Sequence, residues 1–467
     1  MLVIFLILPF LALFFPSGVL AQNNINKFGI HILEPTDLPR AGELVNSSGG
    51  DWGWVTVVIR DDDMNFDKWQ GFMDECRERH LVPIVRIASH LEGENWAKPK
   101  VDDANNWVNF LDSLNWPVSD QYVVIFNEPN HAKEWGGETN PKEYARILSD
   151  FNLKFKIKNF KFKTLNAGLD SAAGNTKTTM DSYQFMKLMN QEIPGIFDQI
   201  DGWASHSYPN HGYLGKPWET GKHSIQGYER ELAVLKSDFG LQKNLPVFIT
   251  ETGWPFKKIK NQKSKIKNIY YNERTATEYI KYAFENVWLK DENVIAVTPF
   301  VLNYPGELFA DFSWLDEEGN PYLLFESIKN LPKTAGRPQQ EFKAEVLSII
   351  LPPFLPIETE FNGQITLKNT GQSIWGDYSK IISSAFSDAQ IAVSDLIMPE
   401  EVKVAPGEKI SLNYSLKSSS ASGTFIFGWN NLKYFEIKVL PSSVITTAKY
   451  NFWEKIILKI KSFLNRA

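Results

Sequence analysis

The sequence has almost no cysteine. Cys76 is the single one in 467 residues. One thiol excludes an intramolecular disulfide and any metal site built on several cysteines. A large excess of one charge is also lacking. Lys and Arg total 49 against 55 Asp and Glu, a formal net charge of −6. That balance gives no field for nucleic acid. No metal-ligating cluster is evident either, so neither a metal nor a cofactor is expected. The longest uncharged run is at the N terminus, where Leu2 to Phe15 is almost wholly apolar. Pro16-Ser17-Gly18 follows, then Val19 and Ala21, small or compact enough for a signal-peptidase site. The run is short for a spanning helix. It reads as a cleaved export signal over residues 1–21 rather than a retained anchor, although no Lys or Arg precedes it. An exported chain without disulfides suits a bacterial envelope better than a eukaryotic secretory route. The expected location is therefore secreted or extracytoplasmic.

What is present points to a packed core. Hydrophobic residues make up 43% and aromatics 13%, which excludes disorder as a whole-chain reading. From Phe28 onward, strand-like and helix-like segments alternate. Apolar runs occur at 28–32, 54–60, 81–87, 122–128, 164–168, 200–208, 245–251 and 294–300. Segments with apolar residues at spacings of three and four lie between most of them. The runs are continuous rather than alternating, as expected of parallel strands covered on both faces. Eight such strands over residues 22–335 predict an α/β fold, a (β/α)8 barrel. Residues 336–340 read as a linker, between Pro332 and the strands beyond. Residues 341–440 change character: short strands at 361–367, 403–416, 424–427 and 434–439, punctuated by Gly, Pro, Ser and Asn, predict a small all-β sandwich. Residues 441–467 end in a basic amphipathic helix. Phe452, Trp453, Ile456, Ile457, Ile460, Phe463 and Leu464 recur at helical spacing, with Lys455, Lys459, Lys461 and Arg466 between them. Such a helix either docks on an anionic membrane surface or packs on its own domain; the pattern does not choose.

Two of the eight strands end in a glutamate. Tyr122-Val123-Val124-Ile125-Phe126 runs into Asn127-Glu128-Pro129, and Val247-Phe248-Ile249-Thr250 runs into Glu251-Thr252-Gly253-Trp254-Pro255. The carboxyl ends of barrel strands are where such folds keep their chemistry. Two carboxyls facing one substrate suit cleavage of a glycosidic bond. One protonates the leaving oxygen and the other, ionised, stabilises or attacks the anomeric carbon. Other polar residues at strand ends are Arg60, His206, Tyr208 and, ending the first strand, His31. His206 and Tyr208 are two apart and so face the same way on a strand.

These segments resemble clan A glycoside hydrolases, retaining (β/α)8-barrel enzymes, over about residues 28–335. The resemblance implies that Glu128 is the acid/base and Glu251 the nucleophile. It implies that Asn127 bonds a sugar 2-hydroxyl, that Tyr208 bonds the nucleophile, and that His206 lines the cleft. Arg60 matches more loosely the clan's arginine that bonds the nucleophile. The clan's strand-eight tryptophan floor is missing: the chain has Thr298-Pro299-Phe300, and Phe300, Asn303, Tyr304 or Trp314 would have to replace it. Farther on, Asn369-Thr370-Gly371 followed by Trp375 resembles immunoglobulin-like modules of bacterial surface enzymes, for which a spacer role is favoured over glycan binding.

Weaker candidates complete the set. Asp61-Asp62-Asp63 offers oxygen ligands but reads as a solvated loop. His131 and His211 read as surface loop residues. Trp135, Trp218 and Trp254 are candidates for stacking on sugar, weighed against core or rim packing. The expected function is retaining hydrolysis of a β-linked oligo- or polysaccharide, with carbohydrate as partner. The alternatives are a non-catalytic glycan-binding or envelope protein on a degenerate barrel, and a transglycosylase using the same residues.

Overall fold

The computed structural model describes residues 25–257, 270–377, 381–441 and 443. The export signal and the amphipathic stretch Tyr450 to Ala467 lie outside the described residues. No described helix is long and apolar enough to cross a membrane.

The eight apolar runs form eight parallel strands: β1 Gly29–His31, β2 Gly53–Arg60, β3 Leu81–Ala88, β4 Gln121–Ile125, β5 Phe162–Leu165, β6 Trp203–His206, β7 Val247–Glu251 and β8 Val294–Val297. Their pairing follows chain order, β1 to β5 in one ladder and β6 to β8 in another. Parallel bridges Leu165↔Gly202 and Phe28↔Val297 join the two ladders and close the ring. Helices such as Phe66–Glu78, Pro141–Lys158 and Gly227–Ser237 cover the outside. The strands are apolar on both faces because each face meets a different core. Trp54, Val82, Ile84, Val124, Leu165, Ala204, Phe248 and Ala296 fill the interior. The alternate residues, among them Val55, Val57, Val85, Val123 and Ile249, pack outward against the helices. Closure requires close approaches: a Cβ on Gly29 would meet Trp54 Cβ at 2.9 Å and Thr298 Cγ2 at 2.6 Å.

After the last barrel helix, Leu323–Lys329, the chain builds two four-stranded sheets. The strands are β9 Ala344–Ile349, β10 Leu355–Pro356, β11 Glu360–Asn369, β12 Ile381–Ser383, β13 Ala385–Ser387, β14 Ile391–Val393, β15 Leu396–Ile397, β16 Lys409–Ser418, β17 Gly423–Trp429 and β18 Tyr434–Leu440. One sheet runs β9-β11-β16-β14 and the other β10-β18-β17-β13. Ile365, Leu367, Leu412, Leu416, Phe427, Trp429, Ile437 and Val439 fill the space between them. The second part is thus a β-sandwich. The strand expected over 403–416 begins at Lys409; Val404 instead makes an isolated bridge to Trp375.

A buried cation takes part in joining the sandwich to the barrel. Arg77 is 3% exposed. It donates Nε to the Gln372 carbonyl and a terminal nitrogen to the Asn115 carbonyl, both at 2.7 Å. Gln372 donates in turn to Val118 O at 2.9 Å and accepts from Ser119 Oγ at 3.0 Å. Asn115 to Ser119 lead into the start of β4, whereas Glu128 follows its end. The sandwich therefore sits on the barrel face opposite the strand ends that carry the glutamates. Arg77→Ala strands buried carbonyls and removes their donor. It is expected to destabilise the chain by about 2–4 kcal/mol, read as a lower urea midpoint. An unchanged midpoint would show that the contact contributes nothing.

Candidate active site

Glu251 reaches the barrel mouth through an irregularity. Ser205 pairs with Ile249, but His206 pairs with Glu251, so Thr250 is an extra residue on β7. Ala204 and Phe248 both point inward. Regular alternation would then send Glu251 outward. The bulge turns it in, beside His206, which is what a β-bulge does to a side chain. At β4 the device differs. Phe126 and Glu128 have φ values of 67° and 31°, a region that non-glycine residues seldom adopt. Phe126 breaks the alternation after Val124 and packs against Trp135 and Phe151. Glu128 N donates to Gly168 O at 3.2 Å. Left-handed residues cost about 1–3 kcal/mol each and cluster at functional sites.

The two glutamates come together. Oxygens of Glu128 and Glu251 and a ring nitrogen of His206 all lie within 4.8 Å of one another. His206 Nδ1 is 2.8 Å from Glu128 Oε1 and 3.8 Å from Glu251 Oε2. Tyr208 donates its hydroxyl to Glu251 Oε2 at 3.1 Å. Arg86 donates from one terminal nitrogen to Glu251 Oε1 at 2.5 Å and to Asn127 Oδ1 at 2.7 Å. Asn127 donates its amide to Glu134 Oε2 at 3.3 Å.

Burial alone would raise the Glu251 carboxyl. The positive charges of His206 and Arg86, with the Arg86 hydrogen bond, outweigh burial and hold it well below the usual carboxylate range. Burial, then the Arg86 charge, pushes His31 down to about 3, so it stays a neutral ring. Burial works against a charged His206, but the charges of Glu251 and Glu128 outweigh it and raise its pKa. Burial, then the charge of Glu128, raises Glu134 to about 7. Glu128 and Glu251 differ in exposure: 23% of the Glu128 side chain is open against 12% for Glu251. A cation at Glu128, His206 and Glu251 would have to displace the imidazole proton between them and face Arg86, so the cluster does not suit one.

Several expectations need correction. Arg60 does not reach Glu251. It pairs with Ala88, two residues beyond Arg86 along β3, and so stands about 7 Å farther out. There it binds Asp62 and is exposed. Arg86 takes the place assigned to it. His206 and His31 do not line an open cleft, because both are fully buried. His31 lies behind Glu251, with Nδ1 3.9 Å from Oε1. Trp254 is 3% exposed and donates its N–H to Gly215 O, so it supports a loop rather than a sugar. Trp135 is fully buried. His131 bonds Asp170 at 2.8 Å. The Asp61, Asp62 and Asp63 carboxyls are each engaged, by His90, Arg60 and Lys68.

Of the four candidates for the floor, Phe300 lies at the site, its ring 5.2 Å from His31. Trp314 is core. Tyr213, Tyr304 and Phe300 pack with Tyr208 and Phe312 into an aromatic wall on one side of the glutamates.

Gly168 fixes the geometry. A Cβ there would lie 2.2 Å and 2.5 Å from His206 Cδ2 and Nε2. Gly168→Ala is expected to push the imidazole off Glu128 and lower turnover about 10²-fold, since a misplacement of about 1 Å costs that much. Steady-state kinetics with a thermal melt checks it. Full turnover in the variant would mean that the His206 contact is dispensable.

No protein-family model matches the chain, and no curated protein matches it. Solved structures do resemble it. One is a family 39 glycoside hydrolase from the gut symbiont Bacteroides cellulosilyticus WH2: 13% identity, 85% of this chain and 81% of that one, TM-score 0.45. A monomeric β-xylosidase from Caulobacter crescentus CB15 is similar at 10% identity over 85% and 98%, TM-score 0.46. A fungal β-1,4-galactanase is similar at 15% identity over 64% and 91%, TM-score 0.44. At these identities and scores the likeness assigns neither a substrate nor a residue role to this chain.

Proposed function

We propose that the protein is a retaining glycoside hydrolase acting on a β-linked oligo- or polysaccharide. The carrying observation is the distance between the two strand-end carboxyls, within 4.8 Å. Retaining enzymes place theirs about 5–5.5 Å apart, and inverting enzymes need about 6.5–9.5 Å to admit a water.

Glu251 is the nucleophile, kept ionised by Arg86 and His206. Its carboxylate oxygen bonds the anomeric carbon as the glycosidic C–O bond breaks. Glu128, the more open of the two carboxyls and hydrogen-bonded to His206, gives its proton to the departing oxygen. The glycosyl ester on Glu251 is then opened by water. Glu128, now a carboxylate, takes the proton from that water, and the sugar leaves with its anomeric configuration kept. Tyr208 steadies the second Glu251 oxygen. Asn127, gripped by Arg86 at its carbonyl and by Glu134 at its amide, presents its remaining N–H to the sugar. The aromatic wall supplies apolar faces for a pyranose.

The test is hydrolysis of β-glucan, mannan, xylan and galactan by the full chain beside its Glu251→Ala variant. Cleavage of one polymer by the wild type alone supports the reading. Equal activity in both chains refutes the assignment of Glu251.

A further inference from the structure

Trp218 is the one exposed tryptophan among the described residues, at 53%; the others are buried or, for Trp96, half-buried. The Lys216 ammonium lies over the Trp218 ring, 5.7 Å from the centroid. Tyr279 and Tyr282 meet it edge to face, at 5.7 and 5.8 Å with planes at 78° and 77°. Beside it opens a cavity of about 330 Å³ lined by Trp218, Tyr282, Gln226, Glu229, Asn286 and Lys290. Tyr228 and Asp291 close the cavity and bond each other at 2.9 Å. None of Arg86, Glu128, His206, Tyr208 or Glu251 lines it.

The lining decides the ligand class. A pyranose has an apolar C–H face and a rim of hydroxyls that both give and accept hydrogen bonds. The Trp218 and Tyr282 rings suit the face. The rim suits the Gln226 and Asn286 amides, the Glu229 carboxylate and the Lys290 ammonium. An apolar ligand would strip water from these polar groups without replacing it. A polyanion would meet Glu229 and Asp291 in a chain of net charge −6. The volume falls at the lower end of small-molecule sites.

We propose that this cavity is a second, non-catalytic carbohydrate-binding site, at which a pyranose of the polymeric substrate stacks on Trp218. The ligand class rests on the glycosidase reading; the site itself does not involve the glutamates. Trp218 lies on the loop after β6, which also carries Tyr213 of the aromatic wall, so one segment contributes to both cleft and cavity.

Affinity electrophoresis of the full chain through gels containing soluble β-glucan, xylan, galactomannan or galactan tests this. The Glu251→Ala background keeps the polymer intact. At least one polymer is expected to retard the chain. Adding Trp218→Ala should weaken that binding about tenfold, because the ring surface covering one sugar face is lost. Trp218→Ala alone should leave hydrolysis of a 4-nitrophenyl monoglycoside unchanged. Equal retardation with and without Trp218, or none by any of the four polymers, overturns the proposal. Failure of the glycosidase reading is read separately: the monoglycoside would be cleaved equally by the wild type and Glu251→Ala, whatever the gels show.

Discussion

Glu251→Ala is expected to lower kcat/KM about 10⁵-fold or more on every substrate the protein cleaves, since a covalent route without its nucleophile falls back on binding alone. Small anions such as azide should restore part of the rate, because the vacated space lies on the face that the carboxylate attacks. The rescued product would carry azide with inverted anomeric configuration. Glu128→Gln should behave differently. It should cost about 10³-fold where the leaving group is a sugar, and far less where it is a dinitrophenolate, which departs without a proton. That dependence on the leaving group identifies the acid. It matters because burial and then its neighbour's charge raise the Glu134 carboxyl to about 7. Glu134 touches Asn127, whereas Glu128 stands within 4.8 Å of Glu251. The account therefore expects Glu134→Gln to show no dependence on the leaving group. If Glu134→Gln shows it and Glu128→Gln does not, the acid is Glu134.

Arg86→Leu carries the second large effect. One guanidinium nitrogen serves both Asn127 and Glu251. Its loss leaves a buried carboxylate with weaker compensation and is expected to lower kcat about 10²–10³-fold. The pH profile should move as well. Arg86 helps hold the Glu251 carboxyl below its usual range. Without it that pKa rises, and the acid limb of kcat/KM shifts to higher pH. Stability follows the same sign. A depressed carboxyl stabilises the fold above its unfolded pKa and loses that contribution as pH falls through the folded value. The stability gap between wild type and variant should therefore be largest at neutral pH and narrow on acidification, because the wild type has more of that contribution to lose. Denaturation midpoints at pH 4 and pH 7 check this, and an acid limb that stays in place would contradict the role given to Arg86.

The barrel was legible because its strands are covered on both faces and so read as continuous apolar runs, each ending in turn residues. The glutamates stood out because those runs stop at them. What the sequence concealed were departures from regular geometry. Arg86 sits inside an apolar strand, two residues short of its end, where a charge looks like an interruption. Arg60 ends its strand and looked better placed, but the β2–β3 register lifts it past the site. The extra residue at Thr250 and the positive φ of Phe126 reverse which way side chains point, and neither residue type announces that. Glu134 lies seven residues after Asn127, in a short turn with no periodicity to mark it. Trp254 shared a segment with Glu251 yet turns into the core, because its N–H finds the Gly215 carbonyl. In the sandwich, strands of two or three residues such as β13 and β15 are too short to alternate visibly.

The most direct measurement is proton NMR of the sugar first released from a β-linked oligosaccharide, taken before mutarotation mixes the anomers. Two carboxyls this close leave no room for a water between nucleophile and sugar. The account predicts that the β anomer forms first and the α anomer only by slow equilibration. An α anomer as the first product would contradict a glycosyl ester on Glu251, and with it the mechanism built on that residue.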